Sequence, residues 1–195
     1  LGLHLHELSW ARDPRRVEPG RAVKSVSHEE TYASDIHDGA RLATEALRLG
    51  DSVGTRLRRG GLAGRTITVK VRFHDFATIT RSCTLPEPVD TGPAISRAAV
   101  SLLEGVEAGP GVRLLGVGVS NLSEGAARQL SLGLYDPADA DPGAAAGDWE
   151  RATAAIDEIR SRYGDSAVGP AALIGTHGLR IKRRGDAQWG PGSES

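Results

Sequence analysis

The chain has 195 residues, enough for one good core with appendages or for two very small domains. Its 24 Lys and Arg nearly balance 25 Asp and Glu, so bulk charge argues for neither a nucleic acid nor an acidic partner. Aromatic residues make up only 4% while Gly supplies 25 positions and Pro 10, which predicts an aliphatic core and many loops. Cys83 is the single cysteine, which excludes an intrachain disulfide and points to a reducing, cytoplasmic setting. No apolar run approaches the roughly 18 residues of a membrane helix, and no signal peptide is visible, so no membrane partner is expected.

Residues 1–20 read as the end of a helix, Leu3 to Trp10, followed by an Arg- and Pro-rich connector. His4 and His6 are two apart, which turns them to different helix faces and argues for a plain surface helix over a metal site. "AVKSVSHEETYASDI" mixes β-branched and polar residues and predicts a strand with a long exit. Leu42, Ala46, Leu49, Val53 and Leu57 recur at helical spacing and stop at Gly60-Gly61, which predicts an amphipathic helix. "RTITVKVRF" alternates cleanly, with Ile67, Val69, Val71 and Phe73 on one side and Thr68, Lys70 and Arg72 on the other. After a turn at His74-Asp75, "ATITRSCTL" puts Thr78, Thr80, Ser82 and Thr84 on a shared face. Asp90-Thr91-Gly92-Pro93 opens a second helix carried by Ile95, Ala99, Leu102, Leu103 and Val106. A strand with Leu115, Val117 and Val119 facing inward closes the unit.

This order predicts an α+β fold: a two-layer β-α-β-β-α-β domain over residues 21–122, with a four-stranded, mainly antiparallel sheet and two helices on one face. The opposite face then offers Thr68, Lys70, Arg72, Thr78, Thr80, Ser82, Gly116, Gly118 and Ser120, with no carboxylate. Hydroxyls and exposed amides donate hydrogen bonds, cations neutralise, and glycines allow close approach, so such a surface can accept phosphates. An ordinary solvated sheet face accounts for the same threonines. The face lacks Asn, Gln and aromatic side chains, which argues against reading of individual bases.

After a loop come "RQLSLGLYD" and an Ala-, Asp- and Gly-rich spacer, making a segment of residues 123–147. Residues 148–195 predict a C-terminal helix and a flexible tail. Trp149, Ala152, Ile156, Ile159 and Tyr163 form its apolar stripe, Asp148 its cap and Gly164 its end. Lys182-Arg183-Arg184 reads as a solvated basic run. No phosphate loop, CxxC, HExxH or GxSxG motif is present. Asp136, Asp139 and Asp141 lack the later Gly and Glu of a calcium loop and read as spacer. Cys83 reads as a small core residue. Glu29 and Glu30 flank His28, where either a general acid/base role or a plain strand end fits, so no catalytic residue is assigned.

The segments "AVKSVSHEETYASDI", "RLRRGGLAGRTITVKVRFHDFATITRSCTLPEP" and "VRLLGVGVSNL" resemble, in order and spacing, the little-finger domain of Y-family translesion DNA polymerases. Within that family they resemble most the bacterial DNA polymerase IV type, of actinobacterial kind. Residues 1–20 then resemble the last thumb helix and its linker, and residues 148–174 a C-terminal helical extension. The family's palm carries the acidic residues that hold two Mg²⁺, and that segment is not in this sequence, so no cofactor is expected here. Leu1 starts inside the thumb-like helix without an initiator Met, which fits part of a longer polymerase better than a stand-alone, non-enzymatic DNA- or clamp-binding module or a degraded gene.

The resemblance implies DNA as partner, held by its backbone without sequence preference, with Lys24, Ser25, Ser27, Arg72, Thr78, Thr80, Arg81 and Ser82 touching it. Lys70 joins them from the predicted face. Relatives carry glycine where Ser27 stands, which leaves less room for backbone approach here. Arg81 falls off the predicted polar face, and a bulge would be needed to re-aim it. "QLSLGL" resembles the family's sliding-clamp-binding peptide, in which Gln129 hydrogen-bonds in a small pocket and Leu132 and Leu134, beside Leu130, meet an apolar groove. These readings make the chain the DNA-gripping and clamp-binding part of a translesion polymerase, monomeric and cytoplasmic.

Overall fold

A computed structural model describes residues 2–16, 18, 20, 22–124, 142–175 and 178–179, with backbone alone for 142–150, 175, 178 and 179. Four strands form one sheet: β1 (Ser25–Ile36), β2 (Leu62–Phe73), β3 (Thr78–Val89) and β4 (Val112–Glu124), in the order β1-β4-β2-β3. Every neighbouring pair is antiparallel. The β-branched alternation of Ile67, Val69 and Val71 makes β2 a central strand beside β4. β3 carries Pro86 and Pro88 and lies at an edge, where the missing N–H groups cost no ladder bond. The predicted α+β order β-α-β-β-α-β is the one observed.

Helix α1 (Gly2–Ser9) buries none of its residues, and Leu3, Leu5 and Trp10 are exposed. Helix α2 (Gly39–Arg59) starts at Asp38, whose carboxylate accepts from the Ala40 and Arg41 amides, and is closed by the Gly60 N–H. Helix α3 (Gly92–Leu103) carries Pro93 in its first turn. One aliphatic core results. Leu42, Ala46, Leu49, Val53 and Leu57 of α2 and Ile95 and Ala99 of α3 meet Ile67, Val69, Val71, Leu115, Val117 and Val119 of the sheet. Cys83 packs at the edge of this cluster, as expected of a small core residue. The two helices touch almost backbone to backbone. A Cβ on Gly54 would lie 2.7 Å from the Gly92 nitrogen and 3.0 Å from the Asp90 oxygen, so only glycine fits that crossing.

Helix α4 (Pro142–Tyr163) starts earlier than its expected cap, so Asp148 lies inside it. Gly164 ends it, with φ +92° and its N–H on the Arg160 carbonyl. The expected apolar stripe is not the docked face. Ala152 is exposed, Ile159 is 39% and Tyr163 73% exposed, and the Trp149 side chain lies outside the described residues. The buried positions are Thr153 and Arg160 instead. The Arg160 guanidinium donates to Thr55 Oγ1 (2.9 Å), Asp51 Oδ2 (2.8 Å) and the Val168 carbonyl (3.0 Å). Arg58 of α2 grips Asp157 with two bonds, 2.6 and 2.9 Å long, and Arg59 meets Asp165 at 2.8 Å. A polar seam therefore attaches α4 to the outside of α2. Beyond it, a 3₁₀ turn at Ala171–Leu173 buries Leu173. Two short strands follow, β5 (Ile174–Gly175) and β6 (Gly178–Leu179). No helix among the described residues is long and apolar enough to cross a membrane.

Candidate nucleic-acid interface

Strand alternation sends one set of side chains to the helices and the other to the open side, and the register lines that other set up in rows. Ser25, Ser120, Thr66 and Thr84 form one row, and Ser27, Gly118, Thr68 and Ser82 the next. Glu29, Gly116, Lys70 and Thr80 form the third, and Thr31, Leu114, Arg72 and Thr78 the fourth. Every row member on the two edge strands is exposed, and the β2 members are half-buried. Thr66 and Thr84 share a hydrogen bond of 3.0 Å, and Arg72 donates to Thr78 Oγ1 at 3.0 Å, which aims its guanidinium along the edge strand. The structure thus brings Ser25, Ser27, Lys70, Arg72, Thr78, Thr80 and Ser82 onto one surface. Lys24 is exposed just ahead of the first paired residue.

Three expectations need correction. The face is not free of acid, because Glu29 stands on it with its carboxylate oxygens 3.0 and 3.2 Å from Lys70 Nζ. Nor are its glycines bare: a Cβ on Gly116 would lie 2.6 Å from Glu29 Cγ, and one on Gly118 3.2 Å from Ser27 Cβ. The space over Gly116 is filled by the chain's own glutamate, and Leu114 adds an apolar member to the fourth row. Arg81 is the third. No register shift interrupts the pairing from Thr84 to Thr78, so Arg81 stays on the helix side with Ile79 and Cys83. Its guanidinium donates to the Leu102 carbonyl (3.2 Å) and the Glu104 carbonyl (2.6 Å) at the end of α3. That helix has no basic residue of its own in its last turn, so Arg81 satisfies carbonyls that the helix leaves open.

The group around His28 is also divided by alternation. Glu29 faces outward, whereas His28 faces α2 with its Nδ1 3.0 Å from Ser52 Oγ. Glu30 likewise joins Glu45 on the Arg48 guanidinium of α2. The Tyr32 hydroxyl beside them is raised above its ordinary range, first by burial and then by the two carboxylates. This is a buried structural cluster, and the three residues do not converge on an acid/base site. Among the described residues, no group of three His, Cys, Asp or Glu is placed to hold a metal ion. Asp136, Asp139, Asp141, the Gln129, Leu130, Leu132 and Leu134 set and Lys182-Arg183-Arg184 lie outside the described residues. Glu29 and the pairing of α4 were missed by sequence reasoning. Running the two-residue period through β1 from Val26 would have placed Glu29 on the open side, whereas α4 gave no such signal.

Comparison with known proteins places these features in a lineage. Residues 23–132 match the impB/mucB/samB family C-terminal domain. The chain is 50% identical over 123 residues to DNA polymerase IV of Streptomyces coelicolor, covering 63% of this chain and 26% of that protein. It is 44% identical over 131 residues to DNA polymerase IV of Alkalilimnicola ehrlichii, covering 65% and 37%. The chain therefore spans between about a quarter and two fifths of the length of these curated relatives. A solved complex of a beta-clamp processivity factor with the little finger domain of PolIV is similar at 30% identity and a TM-score of 0.44, covering 56% of this chain and 99% of that one. By its sequence match across more than half its length, the chain belongs to the impB/mucB/samB family, whose C-terminal domain forms its four-stranded core.

Proposed function

We propose that this chain is the DNA-gripping and clamp-binding part of a DNA polymerase IV-type translesion polymerase. The open sheet face is the surface that holds primer–template DNA. The observation that carries this reading is the set of rows itself, in which exposed hydroxyls of β1 and β3 flank Lys70 and Arg72. Hydroxyl donors spaced by the sheet, with cations among them, suit a sugar-phosphate chain and offer no pattern for telling bases apart. In the same reading, Gln129, Leu130, Leu132 and Leu134 dock extended on a sliding clamp. The alternation of three leucines behind a glutamine, a few residues after the end of β4, supports it. The chain acts as a monomer in the cytoplasm, at the nucleoid. In this reading catalysis, with the Mg²⁺-holding palm that the resemblance implies, is assigned to the part of the polymerase that this chain does not span.

Fluorescence anisotropy with a labelled primer–template across a salt series tests the DNA reading. Binding is expected for any sequence, weak, and falling linearly on a log–log plot. Changing Lys70 and Arg72 together to Gln should weaken binding and flatten the slope by about 0.9 for each phosphate left without its cation. Binding that ignores salt, or that survives the double change with its slope intact, contradicts the reading.

A further inference from the structure

Glu29 is out of place on a surface that holds a polyanion. It stands in the third row, one strand away from Lys70 across the backbone of Gly116, and bends over that glycine to reach the ammonium. Both oxygens lie within 3.2 Å of Lys70 Nζ, and the two side chains are 42% and 33% exposed, so the pair is solvated and can open. A carboxylate here matches a phosphate in charge and in the donors it seeks, and it occupies the side of the ammonium that faces the row. Core packing does not require it there: the helices cover the other side, and its own backbone is held by the ladder with β4.

We propose that Glu29 is a built-in competitor for the DNA phosphate at Lys70, a residue that sets how tightly the open face grips. Resting on the reading of that face as the DNA-holding surface, it assigns Glu29 a regulatory part within it. Each binding event exchanges the carboxylate for a phosphate oxygen, and each release lets the carboxylate return. The grip is thereby weaker and shorter-lived than the cations alone would make it, which suits a domain that must let DNA slide past. An exposed ion pair is weak, so the exchange is easy, yet a negative charge beside the phosphates still opposes association.

The test is Glu29→Gln, which keeps shape and volume over Gly116 and removes only the charge, with a melting curve to verify the fold. In the salt series, Glu29→Gln should bind primer–template DNA about 3- to 10-fold more tightly at low salt. Its log–log slope should match that of the unaltered chain, because Lys70 neutralises the same phosphate in both complexes. The tightening should vanish when Lys70→Gln is added. If Glu29 instead served to position Lys70, Glu29→Gln would bind more weakly; that result, or unchanged affinity, overturns the proposal while leaving the DNA-holding face in place. Absence of binding by both the unaltered chain and Glu29→Gln at low salt would overturn the reading of the face itself.

Discussion

Replacing Gln129 and Leu132 together by alanine is expected to abolish binding to a sliding clamp and leave affinity for primer–template DNA unchanged. The physical ground is a division of labour along the chain. The peptide lies after β4, which ends at Glu124, whereas the residues proposed to hold DNA stand on strands that end before it. An extended peptide gains affinity from main-chain bonds and from the side chains that fill its partner's pockets. Burying two leucines contributes about 3–6 kcal/mol gross, to which the main-chain and glutamine hydrogen bonds add and from which the cost of ordering the segment subtracts. Removing one leucine and the glutamine's hydrogen bonds takes away most of that margin, and affinity should fall by more than about 100-fold. Surface plasmon resonance on immobilised clamp, with anisotropy on DNA from the same preparation, gives both numbers. Equal loss of both activities, or loss of neither, removes the clamp assignment.

Arg160→Ala is expected to release helix α4 from α2 while the four-stranded domain stays folded. Arg160 is 5% exposed and satisfies Thr55, the Val168 carbonyl and Asp51, the last of which is 22% exposed. Truncation leaves those acceptors without their donor, which for a buried pair costs about 3–5 kcal/mol and somewhat less here because Asp51 still reaches water. Among the described residues, the core cluster draws none from α4, so that cost falls on the docking of the helix. Amide exchange in residues 151–163 should lose protection, while exchange in β2 and β4 stays slow. The same seam should open in acid. The Arg58 hydrogen bonds hold the Asp157 carboxyl below its usual value. A depressed carboxyl stabilises docking above its ordinary pKa of 3.8, and that contribution is lost as pH falls through the lower, docked value. Uniform loss of protection across the whole chain, or none in α4, contradicts this account.

What the sequence made legible follows from the kind of signal each element carries. Ile67, Val69 and Val71 alternate with polar neighbours, and the α2 leucines repeat at helical spacing, so β2, α2 and the choice of faces could be read directly. Glu29 was hidden because β1 is polar on both sides: Ser25, Ser27, Glu29 and Thr31 alternate with His28 and Glu30, whose polar heads pair with α2. The side Arg81 takes was legible from the alternation, and only the resemblance made it a DNA contact; its carbonyl partners at the end of α3, more than twenty residues away, were not legible. The docked side of α4 was illegible for a related reason. Periodicity weighs hydrophobicity, and Asp157 and Arg160 are polar and docked because Asp51, Thr55 and Arg58 stand opposite. Long-range polar pairing leaves no local pattern.

The open sheet face is the claim on which the rest depends, and methyl NMR reads it residue by residue. With threonine, valine, leucine and isoleucine methyls labelled, primer–template DNA is titrated in at low salt. Shifts concentrated at Thr68, Thr78 and Thr80, with the α3 methyls of Val100 and Leu102 unmoved, are the predicted result. Shifts gathered on the helix layer, with those three threonines silent at saturating DNA, would contradict it.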